Sequence, residues 1–469
     1  MVIGGFMSSK LNLFLMGAFF VLFSSVIFAV EHIYDVSQIA AGHVHKVYAP
    51  KTVKGLQYIL KSSTDRISIA GGRFSQGGHI WQNHGIVIDM KYMDAIYDLD
   101  VQEKTITLQA GATWRKVQEY IDPFNLSVKV MQSYNDFTVG GSLSVNAHGR
   151  TLADGSLIET VKSVKLLLAD GSLVTASRDE NHQLFKAALG GYGAIGIIVE
   201  ATLYLTDNEP IEQQEVIMSL EQYPDYFKKI IKNDPRVVFH NANLDIDSFS
   251  RVSSITWVKT GKPCTIVDRL QQTPLVSFEY LAFQCARYIK AIQKMRMLIQ
   301  VIKGTEKIVW RNYEMSTSVA TVEPFTRSIS TTVLQEYFVP CDQLLNFLDK
   351  LKNTVKEYDI NMMNISLRYV HRDTESVLAY AQPEESFAVV CYINMINNRP
   401  GMHKAQSWTQ KLVDYALGCG GTYYVPYQLH ATKNQFSRAY PRYKELLTIK
   451  NSVDPNNRFM NTFLQKYIV

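Results

Sequence analysis

The sequence predicts an α+β protein of more than one domain, and three observations carry that reading. Up to about residue 206, β-branched runs alternate with glycine clusters and short helical patterns. Beyond that point, alternating strands and longer helices follow one another without such clusters. Across 469 residues, 46% are apolar and 19% charged. That composition supports two or three folded cores and excludes a disordered chain.

From Val36 to Leu60 the pattern suits a turn and then a helix, with Val53, Leu56, Gln57 and Leu60 at helical spacing. A strand Ile67-Ser68-Ile69-Ala70 then enters the loop Gly71-Gly72-Arg73-Phe74-Ser75-Gln76-Gly77-Gly78, and Gly85-Ile86-Val87-Ile88-Asp89 leads away from it. Glycines let backbone amides crowd round an anion, and successive N–H groups form a concave nest that suits a pyrophosphate. Neither G-x-G-x-x-G nor G-x-x-x-x-G-K-[ST] fits this loop. Thr105 to Ala112 alternates like a strand, and Trp114 to Ile121 reads as a short helix. A second glycine cluster runs from Thr138 to Arg150. Strands Val161 to Leu168 and Leu173 to Ala176 flank a turn at Asp170-Gly171. Asn181 to Leu189 reads as a helix with Asn181 as its cap. Gly190-Gly191-Tyr192-Gly193-Ala194-Ile195-Gly196 then runs into a buried strand, Ile197-Ile198-Val199.

Past residue 206, Glu336 to Pro340 reads as a strand entering a helix, Cys341 to Val355. Asn364 to Val370 and Phe387 to Tyr392 alternate as strands. Together they suit an α+β cap domain built on an antiparallel sheet. Between Val276 and Ile302, apolar residues mix with Arg287, Lys290, Lys294 and Arg296. Such a stretch lies on a membrane surface or, more simply, sits with one face on a core.

Lys and Arg exceed Asp and Glu by 48 − 43, a net charge of +5. That mild excess implies no nucleic-acid partner. Cys264, Cys285, Cys341, Cys391 and Cys419 lack C-x-x-C spacing and form no metal site. Lys10 precedes an apolar run from Leu11 to Val30 that is long enough to span a bilayer. Residues 1–30 read as a cleaved signal peptide or a retained membrane anchor, placing the protein outside the cytoplasm, periplasmic or extracellular, or on a membrane.

The three glycine clusters, in this order, resemble the flavin-binding half of the vanillyl-alcohol oxidase/p-cresol methylhydroxylase (PCMH-type) family. Ala70 to Gly78 is similar to its pyrophosphate loop, Thr138 to Gly149 to its T-V-G-G…H-G segment, and Gly190 to Ile198 to its G-G-x-G-x-I-G-I-I strand entry. The resemblance implies a two-subdomain FAD-binding domain over 31–206, a cap over 207–424, and a segment 425–469 that returns to the flavin. It also implies FAD as cofactor. Gly71, Gly72, Arg73, Phe74, Ser75, Gln76, Gly77, Ser133, Tyr134, Phe137, Gly140, Gly141, Ser144, Val145, Asn146, His148, Gly149, Gly193 and Ile198 would hold it.

Within the family, the resemblance points to oxidases of sugars, aldonolactones and alditols, and to the decaprenylphosphoryl-ribose 2′-oxidase. His430-x-x-Lys433 is similar to their H-x-x-K or Y-x-x-K, and Glu336-Tyr337-x-x-Pro340 to their E-Y-x-x-P strand. Ile365-Ser366-Leu367-Arg368 resembles their E-x-R strand, with Ser366 in place of the acid. The implied reaction takes hydride from a carbinol of a sugar, sugar lactone, polyol or lipid-linked sugar. Lys433 and Arg368 are candidates for the cation near the ring, His430 or Glu336 for the base. Oxygen or another acceptor would reoxidise the flavin. A flavin-dependent reductase of an activated double bond, or a non-catalytic flavin-binding or electron-transfer protein, are the alternatives on the same fold.

The family's covalent histidine precedes the loop serine, where this chain has Phe74 before Ser75, and its linking cysteine would fall near Asp136. His79 lies five residues past the usual place. Non-covalent FAD is therefore expected. Acid precipitation should release the yellow colour into solution, and a yellow pellet after denaturation would refute it.

Overall fold

The computed structural model describes residues 30–272, 278–289 and 307–469. The apolar run from Leu11, save Val30, and much of the Val276 to Ile302 stretch lie outside the described residues. Among the described residues, no helix is long and apolar enough to cross a membrane.

A hairpin of β1 (Glu31–Tyr34) and β2 (Ala41–Val44) leads into β3 (Lys46–Tyr48), α1 (Val53–Ser62), β4 (Ile67–Ala70) and β5 (Ile86–Asp89). β3, β5 and β4 form a parallel sheet in that spatial order. Thr52 starts α1, its hydroxyl accepting from the Gly55 amide at 3.1 Å, and Leu56, Ile59 and Leu60 bury their side chains. The glycine loop is thus the connection out of the edge strand β4.

The second unit comprises β6 (Ile96–Asp100), β7 (Thr105–Gln109), α2 (Trp114–Ile121), β8 (Leu126–Val128), α3 (Val139–Ser144), β9 (Val161–Leu167), β10 (Leu173–Ser177), α4 (His182–Ala188) and β11 (Ile197–Asp207). Its antiparallel sheet runs β10-β9-β11-β7-β6, with β8 also on β11. Two local expectations change here. The cluster after Thr138 winds into α3, capped by Thr138 Oγ1 accepting from the Gly141 amide at 3.3 Å. Asn181 does precede α4, but in the left-handed region at φ 48° and without a capping bond. Its side-chain amide donates to the Thr175 carbonyl at 2.7 Å instead.

The third unit holds β12 (Pro210–Ser219), β13 (Val237–Leu244), β14 (Arg251–Lys259), α5 (Phe278–Ala286), β15 (Ile308–Trp310), β16 (Ser330–Pro340), α6 (Leu344–Glu357), β17 (Met362–His371), β18 (Glu385–Ile396), α7 (Arg399–Gly418) and β19 (Thr422–Tyr423). They make one eight-stranded antiparallel sheet, β15-β12-β14-β13-β17-β18-β16-β19. One face packs on α6 and α7, where Tyr337 meets Phe347 at 5.3 Å between rings and Leu351, Trp408 and Leu412 are buried. Each such side chain contributes roughly 1.5–3 kcal/mol by leaving water. The other face carries a different chemistry. On β17, Ile365 and Leu367 are fully buried, while the intervening Ser366 and Arg368 line a cavity. A one-residue slip would exchange those two sets, so the core fixes which side chains reach the cavity.

The chain ends in α8 (Lys433–Ala439), α9 (Tyr443–Val453) and α10 (Thr462–Tyr467). The stretch from Asp454 to Asn461, Asp454-Pro455-Asn456-Asn457-Arg458-Phe459-Met460-Asn461, is explained by its bonding. Asp454 accepts from Lys450 Nζ at 2.5 Å and from the amides of Arg458 and Phe459 at 2.7 and 2.9 Å. Lys450 also donates to the Ala194 and Phe459 carbonyls. Ile67 and Met460 share a further backbone bond, and the Asn461 side-chain amide donates to the Tyr192 carbonyl at 2.8 Å. Both Lys450 and Asp454 are wholly buried. Removing one partner of such a pair typically costs ~3–5 kcal/mol. The C-terminal segment is therefore locked onto the first and third glycine segments.

Candidate active site

The glycine segments and the open face of the eight-stranded sheet enclose a cavity of ≈ 920 Å³. Its floor begins at Ile67 to Ile69 and continues through Gly71 to Ser75. Arg73 turns the loop with φ 63°, and its guanidinium donates to Asp89 at 2.6 Å. A Cβ on Gly71 would stand 2.2 Å from Thr138 Oγ1, so the first two glycine clusters touch where neither position tolerates bulk. Tyr192 and Gly193, at φ 54° and 79°, turn the third segment along the same wall.

Of the sequence-derived cofactor residues, Gly71, Gly72, Arg73, Phe74, Ser75, Ser133, Tyr134, Phe137, Gly140, Gly141, Ser144, Val145, His148, Gly193 and Ile198 all line this cavity. Gln76, Gly77, Asn146 and Gly149 do not. Gln76 ties the loop to the cap, its Oε1 accepting from the Leu334 amide and its own backbone amide donating to the Pro426 carbonyl, both at 2.8 Å. A Cβ on Gly77 would lie 2.5 Å from the Tyr427 carbonyl, and one on Gly149 would lie 2.5 Å from that of Met131. Asn146 adopts φ 46° and donates to Ser156 and Asp373, both at 3.0 Å. These four residues shape the walls without facing the cavity.

The ceiling comes from the sheet. Glu336 on β16 and Arg368 on β17 both line the cavity. Glu336 is 2% exposed, with Oε1 2.6 Å from His148 Nε2, while Oε2 accepts from the Tyr427 hydroxyl at 3.0 Å. Burial pulls the Glu336 carboxyl upward in pKa. The charge and hydrogen bond of His148, with Arg368 and Tyr427, outweigh it and hold the group below the ordinary carboxylate range. Burial first, and then the neighbouring carboxylate, push the Tyr427 phenol well above its usual value. Arg368 donates from Nη2 to Ser133 Oγ at 2.9 Å, yet its Nε is buried without a partner among the described residues. Burial lowers its pKa and Glu336 opposes that; a guanidinium still stays charged.

His430 and Lys433 are corrections. Neither lines the cavity. Thr432 caps α8, accepting from the Gln435 amide at 3.1 Å while Gln435 reaches back to the Thr432 amide. That capping box turns the chain at Thr432 and sends Lys433, the first helical residue, into solvent. The His430 carbonyl accepts from Gln410, and burial, then Lys466, lowers its imidazole to about 4. The residues delivered to the cavity are Tyr424, Pro426 and Tyr427. Tyr424-x-x-Tyr427 has the leading tyrosine and the spacing of the Y-x-x-K form, with tyrosine in place of its lysine, and that is the signal by which the sequence could have shown it.

His79, set aside at the covalent position, also lines the cavity. Its Nε2 donates to the Val425 carbonyl at 2.8 Å, its Nδ1 has no partner among the described residues, and burial lowers it to about 4. It is therefore neutral at neutral pH.

The cavity therefore combines glycine walls, apolar side chains such as Ile69 and Ile198, and the polar side chains of Ser133, His148, Glu336 and Arg368. That donor set fits a flavin dinucleotide, with its polar edges and apolar ring. The comparisons agree with this geometry. Residues 44–177 match the FAD binding domain, and residues 254–467 match the D-arabinono-1,4-lactone oxidase family. Bovine L-gulonolactone oxidase (Bos taurus) is 21% identical over 436 residues, covering 89% of this chain and 94% of the relative. The mitochondrial L-galactono-1,4-lactone dehydrogenase of Arabidopsis thaliana is 25% identical over 193 residues, 40% of this chain and 32% of its own. D-Arabinono-1,4-lactone oxidase of Debaryomyces hansenii is 31% identical over 122 residues, 26% and 22% respectively.

The protein is an FAD-dependent oxidoreductase acting on a sugar-type substrate. It belongs to the PCMH-type FAD-binding flavoproteins, among the sugar and aldonolactone oxidases and dehydrogenases. Because Lys433 and His430 stand outside the cavity, Lys433→Met and His430→Gln should both reduce flavin at the parent rate. Rapid-mixing bleaching under anaerobic conditions measures this, and a large loss in either variant would return the site to α8.

Proposed function

We propose that the protein oxidises a carbinol of an aldonolactone, with Glu336 as proton acceptor and Arg368 as the cation over the substrate oxygen. The observation that carries this reading is that Arg368 and the Glu336–His148 pair line one cavity. FAD, when bound, supplies the hydride acceptor. Glu336 is ionised through the neutral range, so it can take the carbinol proton without a prior deprotonation step. His148, 2.6 Å behind it, holds the carboxylate in place. Tyr427 fixes the other carboxylate oxygen. The Arg368 guanidinium, held by Ser133 through Nη2, supplies the positive charge that would stabilise a lactone carbonyl or a developing alkoxide. Ser366, in place of an acid on the same strand, leaves Glu336 as the carboxylate nearest this arginine's side of the sheet.

Glu336→Gln should slow anaerobic flavin reduction by about 100- to 10,000-fold, and Arg368→Leu by about 100- to 1,000-fold. The sign of the pH effect follows from the lowered Glu336 value. The carboxylate protonates only as pH falls below its ordinary 4.5, so the parent's acid limb should lie beneath that value and vanish in Glu336→Gln. Bleaching by aldonolactones, polyols and polyprenyl-phosphate sugars, measured in parallel, tests the substrate. Bleaching by reduced nicotinamide alone would overturn the proposal in favour of a reductase.

We also propose export or membrane tethering through Leu11 to Val30, supported by the length of that apolar run. A fusion of residues 1–37 to a reporter active only outside the cytoplasm should be active. An inactive reporter would remove the export reading.

A further inference from the structure

The cavity does not stop at the catalytic end. Strand pairing puts Glu336, Val390, Ser366, Asn243, Ser253 and Ile217 in one cross-strand row, each opposite the next. All six line the same cavity. The row crosses β16, β18, β17, β13, β14 and β12. At ~4.8 Å per strand, Ser253 on β14 lies about 19 Å from the strand carrying Glu336. A single sugar ring covers little more than one of those spacings. Three consecutive strands, β17, β13 and β14, each place a neutral polar side chain in the row. Asn364 flanks it on β17, and Glu215 on β12 accepts from the Ser253 hydroxyl. At the outer end Ile217 is 45% exposed, so the lane opens to solvent.

Hydroxyl, amide and carboxylate groups in a row match a chain of sugar hydroxyls, which both donate and accept. An isoprenoid tail laid there would strip water from the same groups without replacing their hydrogen bonds, at a cost for each. Ile217, Ile255 and Val390 supply apolar contact for the C–H faces of sugar rings. We propose that this lane is a second sugar subsite, and that the preferred substrate is a glycosylated aldonolactone rather than a single ring. The proposal rests on the aldonolactone reading of the catalytic end.

The test compares a single-ring aldonolactone with the same lactone bearing one further glycosyl unit, an aldobionolactone. Anaerobic bleaching gives the rate, and titration of the flavin absorption band gives Kd. Two or three added hydrogen bonds predict kcat/KM at least about 10-fold higher for the aldobionolactone, mostly through KM. Asn243→Leu combined with Ser253→Val should bring that ratio towards one, with FAD content and Tm as checks on folding. Equal kcat/KM for the two lactones, or preference for the single ring, would overturn the second subsite and leave the aldonolactone reading standing. A double variant that lowers both substrates alike would overturn it too. Bleaching by neither lactone would instead sink the reading beneath it.

Discussion

The hydrogen bond between His148 and Glu336 joins the two halves of this protein. His148 belongs to the segment after α3 and Glu336 to the sheet of the third unit, 188 residues away, and both are almost fully withdrawn from water. Two ionisable groups in such a place are costly to desolvate. The cost is offset by the partners around them, with Tyr427 on the second carboxylate oxygen and Arg368 supplying opposite charge nearby. The same contact that docks the cap on the flavin half also keeps the Glu336 carboxylate charged. Packing and reactivity are therefore not separable at this point.

The sheet turns that one contact into a working surface. Its helix-covered face is apolar, so the register of every strand is pinned, and the opposite face inherits a fixed set of side chains. Arg368 can stay partly unpaired because Leu367 and Tyr369 on either side are buried and hold the strand in place. The C-terminal segment closes the arrangement from below. Lys450 and Asp454 bind the backbone near Ala194 and Phe459, and Asn461 binds Tyr192. That leaves the chain between β19 and α8 to bring Tyr427 into the cavity.

The parts legible in the sequence are those written in local patterns. Three glycine clusters mark the cavity walls because close backbone approach and left-handed turns demand glycine, as Gly71 and Gly193 show. Period-two alternation marks β17 and β18, and with them Arg368, since a half-buried strand must alternate. The misplacement of Lys433 is also local in origin. Thr432-x-x-Gln435 is a capping box, a signal for a helix start that turns Lys433 outward, and the H-x-x-K match overlies it. Asn181 shows the converse, since a cap-type residue at a helix start can engage its side chain elsewhere.

The sequence by itself determined the fold class and the strands that carry the site, because periodicity and glycine placement act over a few residues, and the cofactor was implied by the resemblance of its glycine clusters to a known family. Only the tertiary structure decided which side chains meet. Glu336 with His148, Arg368 with Ser133, and the row from Glu336 to Ser253 all join residues far apart in the chain. Strand order and register set those meetings, and both depend on burying one whole face of the sheet at once. No local window of sequence contains that condition.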